Sequence, residues 1–162
     1  MEARWGAVAC QNDWLSWKHC CRTWSAGITG WRWSSAGLAR ARRGSKELSR
    51  RCGVPYLNLS LALSQRLLPL TSKERPLRVG RLLAEILDEQ PGSAVLLDST
   101  ELLFEPALRQ DPLACLQGAS RHKTLVVAWN GETAGAALIC AEPGHPEYLR
   151  YEHPDVNVIV LP

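Results

Sequence analysis

The chain has 162 residues, 46% of them hydrophobic and 22% charged, with a formal net charge of +3. Length allows one domain, and the composition is that of a globular core, which excludes a disordered tail. No apolar stretch approaches the roughly 18 residues of a membrane span and no basic-then-apolar leader opens the chain, so a cytoplasmic protein with no membrane partner is expected.

Six of the seven tryptophans, Trp5, Trp14, Trp17, Trp24, Trp31 and Trp33, lie in the first 33 residues. The same segment holds Cys10 and the adjacent pair Cys20-Cys21, then runs into Arg40-Ala41-Arg42-Arg43-Gly44-Ser45-Lys46 with no apolar period. Much of the basic excess falls between Arg32 and Arg51, so a nucleic-acid reading would rest on this segment. We expect residues 1–46 to be an aberrant, poorly ordered segment, an irregular N-terminal third ahead of a core at 47–162. The six cysteines include no CxxC pair, which leaves zinc or thioredoxin-type chemistry without a spacing. Reduced thiols are expected, the alternative being a disulfide framework.

From Glu47 onward the texture is that of an α/β domain. Val54 to Leu59 is a short apolar run after Gly53, suited to a buried strand. Leu61 to Leu68 predicts a short helix or a covered loop. Pro76 opens the clearest helix, with Leu77, Leu82, Leu83, Ile86 and Leu87 as its apolar stripe and Pro91-Gly92 as its stop. Ala94-Val95-Leu96-Leu97-Asp98 and Thr124 to Trp129 are unalternating apolar runs, the signature of strands covered on both faces. Pro112 to Ser120 supplies a crossover helix between them. This alternation predicts an α/β fold, a partial P-loop NTPase-like parallel sheet with flanking helices. Ala136 to Ala141 and Val156 to Leu161 add C-terminal strands on either side of the turn Glu142-Pro143-Gly144-His145-Pro146.

Two of the strands end in polar residues, Asp98 and Asn130, at the edge where parallel sheets bind ligands. An apolar strand running into Asp is the pattern that holds Mg²⁺ in nucleotide-hydrolysing proteins, which makes Asp98 the candidate metal residue. Glu101 is placed to polarise an attacking water, and Asn130 to contact a γ-phosphate or that water. The plainer readings are a turn-favouring Asp and a first-turn helix acid. Such a site needs G-x-x-x-x-G-K-[ST] between a strand and a helix, and the chain contains no such motif.

The motif is permitted in another reading frame. Displacing the frame by two bases turns every tryptophan codon, TGG, into NTG, which encodes Leu, Met or Val. Ile28 to Ser35 then permits a hydrophobic strand. Ser35 to Arg43 permits Gly, Gly/Arg, Pro/Ala/Ser/Thr, Gly, Ser/Pro/Ala, Gly, Lys, Thr, a phosphate loop of the required length. It falls directly before Glu47-Leu48-Ser49-Arg50-Arg51, where a helix is due. The competing reading is a non-enzymatic interaction protein whose Trp/Arg-rich arm binds by stacking and charge.

Several stretches carry a family resemblance: Gly53-Val54-Pro55-Tyr56-Leu57-Asn58-Leu59, Arg75-Pro76-Leu77-Arg78-Val79, Val95-Leu96-Leu97-Asp98, Asp111-Pro112-Leu113, Val127-Ala128-Trp129-Asn130-Gly131 and Ala141 to Tyr148. Over residues 47–162 the chain resembles the BrxF family of small P-loop proteins from type 3 BREX phage-defence systems. The resemblance implies an ATP-binding accessory protein or ATPase. Its partners would be other BREX proteins, with DNA reached indirectly. ATP and Mg²⁺ are the cofactors implied for the intact family member. By the same resemblance Asp98 holds Mg²⁺, Glu101 activates water and Asn130 acts as sensor. The family's phosphate loop, ahead of the Gly-Val-Pro-Tyr strand, has no counterpart here.

Overall fold

The computed structural model describes residues 6–10, 45–129, 131–134 and 137–160. The strands are β1 Gly6–Cys10, β2 Tyr56–Asn58, β3 Ala94–Asp98, β4 Thr124–Ala128, β5 Glu132–Ala134, β6 Ala137–Cys140, β7 Leu149–Tyr151 and β8 Asn157–Val160. Residues 45–52 form helix α1. Helices α2 (Leu59–Leu67), α3 (Arg75–Asp88) and α4 (Pro112–Ala119) follow, with 3₁₀ turns at Glu101–Phe104 and Pro106–Leu108.

Local chemistry fixes where the helices start and stop. The Asn58 side chain accepts from the N–H of Leu61 and Asp111 from that of Ala114, so both α2 and α4 begin on a side-chain cap. Pro112 opens α4 and Pro76 lies in the first turn of α3, positions where the missing N–H costs nothing. Beyond the end of α3 the Lys123 ammonium donates to the carbonyls of Leu87 and Gln90, at 2.7 and 2.5 Å. The Leu87 carbonyl also accepts the N–H of Gln90 at 3.1 Å, so the lysine joins a turn that already closes the helix.

The strands form a five-stranded sheet in the order β2-β3-β4-β1-β8 and a three-stranded sheet in the order β5-β6-β7. β2, β3 and β4 are parallel, as the sequence predicts. Helices cover both faces of this part. Leu59, Leu63 and Leu67 of α2, Val79, Leu83, Ile86 and Leu87 of α3 and Leu116 of α4 pack on Val95, Leu97, Leu125 and Val127. On the opposite face Leu48 of α1 packs on Leu96 and Val126. At roughly 25 cal/mol per Å², burial of these side chains is the main force holding the layers together.

Several findings depart from the sequence expectations. Gly6–Cys10, placed in the irregular N-terminal third, form a strand antiparallel to both β4 and β8. The expectations for residues 1–5 and 11–44, including the shifted-frame strand and loop, lie outside the described residues. Helix α1 crosses the expected border at 46/47. The two C-terminal strands join different sheets, because β6 pairs with β5 and β7 while β8 pairs with β1. Cys52 is disulfide-bonded, whereas Cys115 and Cys140 are not. Burial pushes the Cys140 thiol up to about 11. Among the described residues no helix is long and apolar enough to cross a membrane.

Candidate functional site

The parallel register sets Tyr56 opposite Leu96 and Asn58 opposite Asp98. Alternation along a strand puts positions 56, 58, 96 and 98 on one face. That face is the one under α1, where Tyr56 borders the Leu48, Leu96 and Val126 cluster. Asp98 therefore closes β3 on the α1 side of the sheet, and it is only 7% exposed.

Both carboxylate oxygens of Asp98 are held. The Tyr56 hydroxyl donates to Oδ2 at 3.1 Å and the Ser99 backbone N–H donates to Oδ1 at 2.6 Å. The ammonium of Lys46, in the first described turn of α1, lies 5.5 Å from the centre of the Tyr56 ring. The chain then turns sharply. Ser99 sits at φ 55°, in the left-handed region, which costs a non-glycine residue about 1–3 kcal/mol. Ser99 Oγ and Thr100 Oγ1 are both buried with no hydrogen-bond partner among the described residues, and Thr100 is 1% exposed. An unmet buried hydroxyl costs roughly 1–3 kcal/mol. One strained turn and two orphan hydroxyls follow directly on a nearly buried acid. Strain and unmet polar groups of this kind cluster at functional sites.

Glu101 lies at the same edge but turns the other way. Its Oε2 accepts from the Ser60 hydroxyl at 3.3 Å, and Ser60 Oγ itself accepts the N–H of Leu102 at 3.0 Å. The Ser60 backbone N–H donates to the carbonyl of Ser99 at 2.8 Å. Ser60 thus ties the start of α2 to the turn after β3, and holds Glu101 toward α2 while Tyr56 holds Asp98 toward α1. The two acids share an edge without a hydrogen bond between them. Asn130 lies outside the described residues. His145 is exposed in a tight turn, where its Nδ1 accepts the N–H of Glu147 at 3.1 Å, as a turn residue does. No family model, curated protein or solved structure matches the chain.

A hard cation at this edge would have the Asp98 carboxylate to hold it. Mg²⁺ takes one or two carboxylates and fills its remaining positions with water and substrate oxygens. Asp98 supplies the carboxylate and the orphan hydroxyls of Ser99 and Thr100 lie next to it in the chain, while no group of three or more His, Cys, Asp or Glu forms among the described residues. A nucleoside triphosphate fits less well, because the chain carries no G-x-x-x-x-G-K-[ST] to neutralise it. Sequence reasoning named Asp98 and Glu101 but not Tyr56, Ser60, Ser99 and Thr100, which border them at this edge. The alternation Tyr56-Leu57-Asn58 was the one available signal, since it points two polar side chains to one face.

Proposed function

We propose that the gene encodes a P-loop ATP-binding accessory protein of a BREX phage-defence system, and that this chain is its frame-shifted form, impaired in binding nucleotide. The observation that carries this reading is the position of α1. Its first described turn stands beside the acid-tipped strand, linked through Lys46, Tyr56 and Asp98. In the shifted frame the phosphate loop ends at residue 43, immediately ahead of that helix. A triphosphate held there would meet backbone N–H groups at the helix start and the Asp98 carboxylate across from them.

In that product Asp98 would hold Mg²⁺, which when bound neutralises charge on the phosphates. Glu101 would orient the attacking water and Asn130 would contact the γ-phosphate. Other BREX proteins would be its partners, with DNA reached through them, in the cytoplasm. The absence of a lysine-bearing loop leaves this chain with the cation end of the site and no grip on a triphosphate.

The nucleotide sequence behind residues 28–43 tests the reading first. It is expected to spell G-x-x-x-x-G-K-T in the displaced frame. The frame-restored protein should then bind ATP in a Mg²⁺-dependent way, and the 162-residue chain should bind it poorly or not at all. If no frame of that DNA encodes the loop, the reading falls and the interaction protein with a Trp/Arg-rich arm takes its place. Tight Mg²⁺-dependent ATP binding by the 162-residue chain itself would overturn the claim of impairment.

A further inference from the structure

We propose that Tyr56 is the positioning residue of Asp98, fixing its carboxylate so that the free lone pairs point to the open edge of the sheet; this rests on the reading of Asp98 as a cation holder. Three observations converge on it. The register brings Tyr56 to the face of β2 that Asp98 shares on β3, two positions along the ladder. The phenol reaches Oδ2 while the Ser99 N–H takes Oδ1, so each oxygen is pinned by one donor and keeps one lone pair. The ring is itself held, with Lys46 over its face.

The chemistry explains why a tyrosine suits this position. A carboxylate at the end of a short strand has a free χ1 and a broad χ2, and a single backbone donor leaves it room to swing. A neutral phenol orients the acid by hydrogen bonding without adding a charge that would compete with a cation. Lysine or arginine there would pair with Asp98 and fill the site. The ammonium of Lys46 stacks on the ring instead, and no ion pair between it and Asp98 is present. Hydrogen-bond partners behind a metal-holding carboxylate typically control affinity by about 10–100-fold.

The test is Mn²⁺ binding to the 162-residue chain, followed by electron paramagnetic resonance of the free ion. Tyr56→Phe should weaken binding about tenfold or more while the urea midpoint stays close to that of the unaltered chain. Lys46→Ala, which removes the ammonium over the ring and leaves the phenol, should weaken it about twofold to fivefold. Asp98→Asn should abolish it. A tyrosine with only a structural role would lower the urea midpoint and leave the affinity of the folded fraction unchanged. If Tyr56→Phe binds as the parent does while Asp98→Asn does not bind, the positioning role is wrong and the cation reading stands. If the parent shows no saturable binding, or Asp98→Asn leaves binding unchanged, the cation reading of Asp98 is wrong and the inference goes with it.

Discussion

Strands β3 and β4 are apolar almost throughout, whereas β7 alternates, and the difference follows from what covers each strand. β3 and β4 have α1 on one face and α2, α3 and α4 on the other, so both faces must be apolar. In the three-stranded sheet Leu138 is buried opposite Tyr151, while Ile139 lies opposite the exposed Arg150. The face of β7 that carries Arg150 is open to solvent. The covered face of this sheet has no core of its own, because Leu138 and Cys140 belong to the same cluster as Leu83 and Val127. Trp129 makes the junction. It follows directly on β4, and its Nε1 donates to the carbonyl of Ile139 at 3.2 Å. Its ring meets Phe104 and Tyr151 edge-on, with centroids 5.3 and 6.1 Å away. The polar strand end with its strain belongs to the five-stranded sheet, and the second sheet shares that sheet's core.

Removing that junction should have the largest effect. Trp129→Ala deletes a fully buried indole, and the expected loss is about 3–5 kcal/mol, read as a fall in the urea midpoint. Leu138→Ala and Leu83→Ala come next, at about 2–5 kcal/mol each. If the sheets share one core, each of these two variants should unfold in a single transition. Separate transitions for Leu138→Ala, with β3 and β4 still protected from amide exchange, would break the comparison and make the second sheet an independent unit.

Gly131→Ala probes the junction from the other side. A Cβ at this position would come within 1.9 Å of the Ile139 carbonyl oxygen, a backbone atom that cannot swing aside. Overpacking of this kind costs about 1–3 kcal/mol. Thermal melting of Gly131→Ala beside Gly118→Ala, whose Cβ meets nothing within 4 Å, isolates the contact from any general effect of adding a methyl group.

The second sheet should also carry an alkaline weakness. Cys140 is raised from 9.0 to about 11, chiefly by burial. Tyr151 is raised as well, by burial first and then by its 2.9 Å hydrogen bond to Asp111. A folded pKa above the unfolded one means that the native state keeps its proton longer. The contribution is complete below pH 9 and disappears as pH climbs toward 11. Urea midpoints should be level up to pH 9 and fall beyond it, and Cys140→Ala should show a shallower fall over that window. An identical slope in both proteins would remove Cys140 from the account.

How much of this was legible in the sequence depends on pattern length. β3, β4, α3 and α4 are long or strongly patterned, and each was placed within about two residues. β5 and β7 are three residues long, too short for alternation to register. β1 reads Gly6-Ala7-Val8-Ala9-Cys10, without the bulky β-branched run that marks a central strand. Asp98 was legible because it ends an apolar run. Its bond to Tyr56 was not, since it depends on the β2–β3 register across 42 residues of chain. The same holds for Ser60 and Glu101, which meet only once α2 is laid beside the turn after β3.

The smallest expected effect tests the clearest misreading. The sequence stripe on α3 began at Leu77, yet Leu77 is 84% exposed. The buried set is Val79, Leu83, Ile86 and Leu87, with spacings of four, three and one. Position 77 is separated from 79 by about 200° around the helix, so the two cannot share a face. Leu77→Glu should therefore change stability by no more than about 0.5 kcal/mol, the ordinary range for a surface site. Val79→Ala, four residues before Leu83 and fully buried, should cost several times that. If Leu77→Glu instead cost about 2 kcal/mol or more, the start of α3 would have to be packed against something, and the face that the helix turns to the sheet would have to be redrawn.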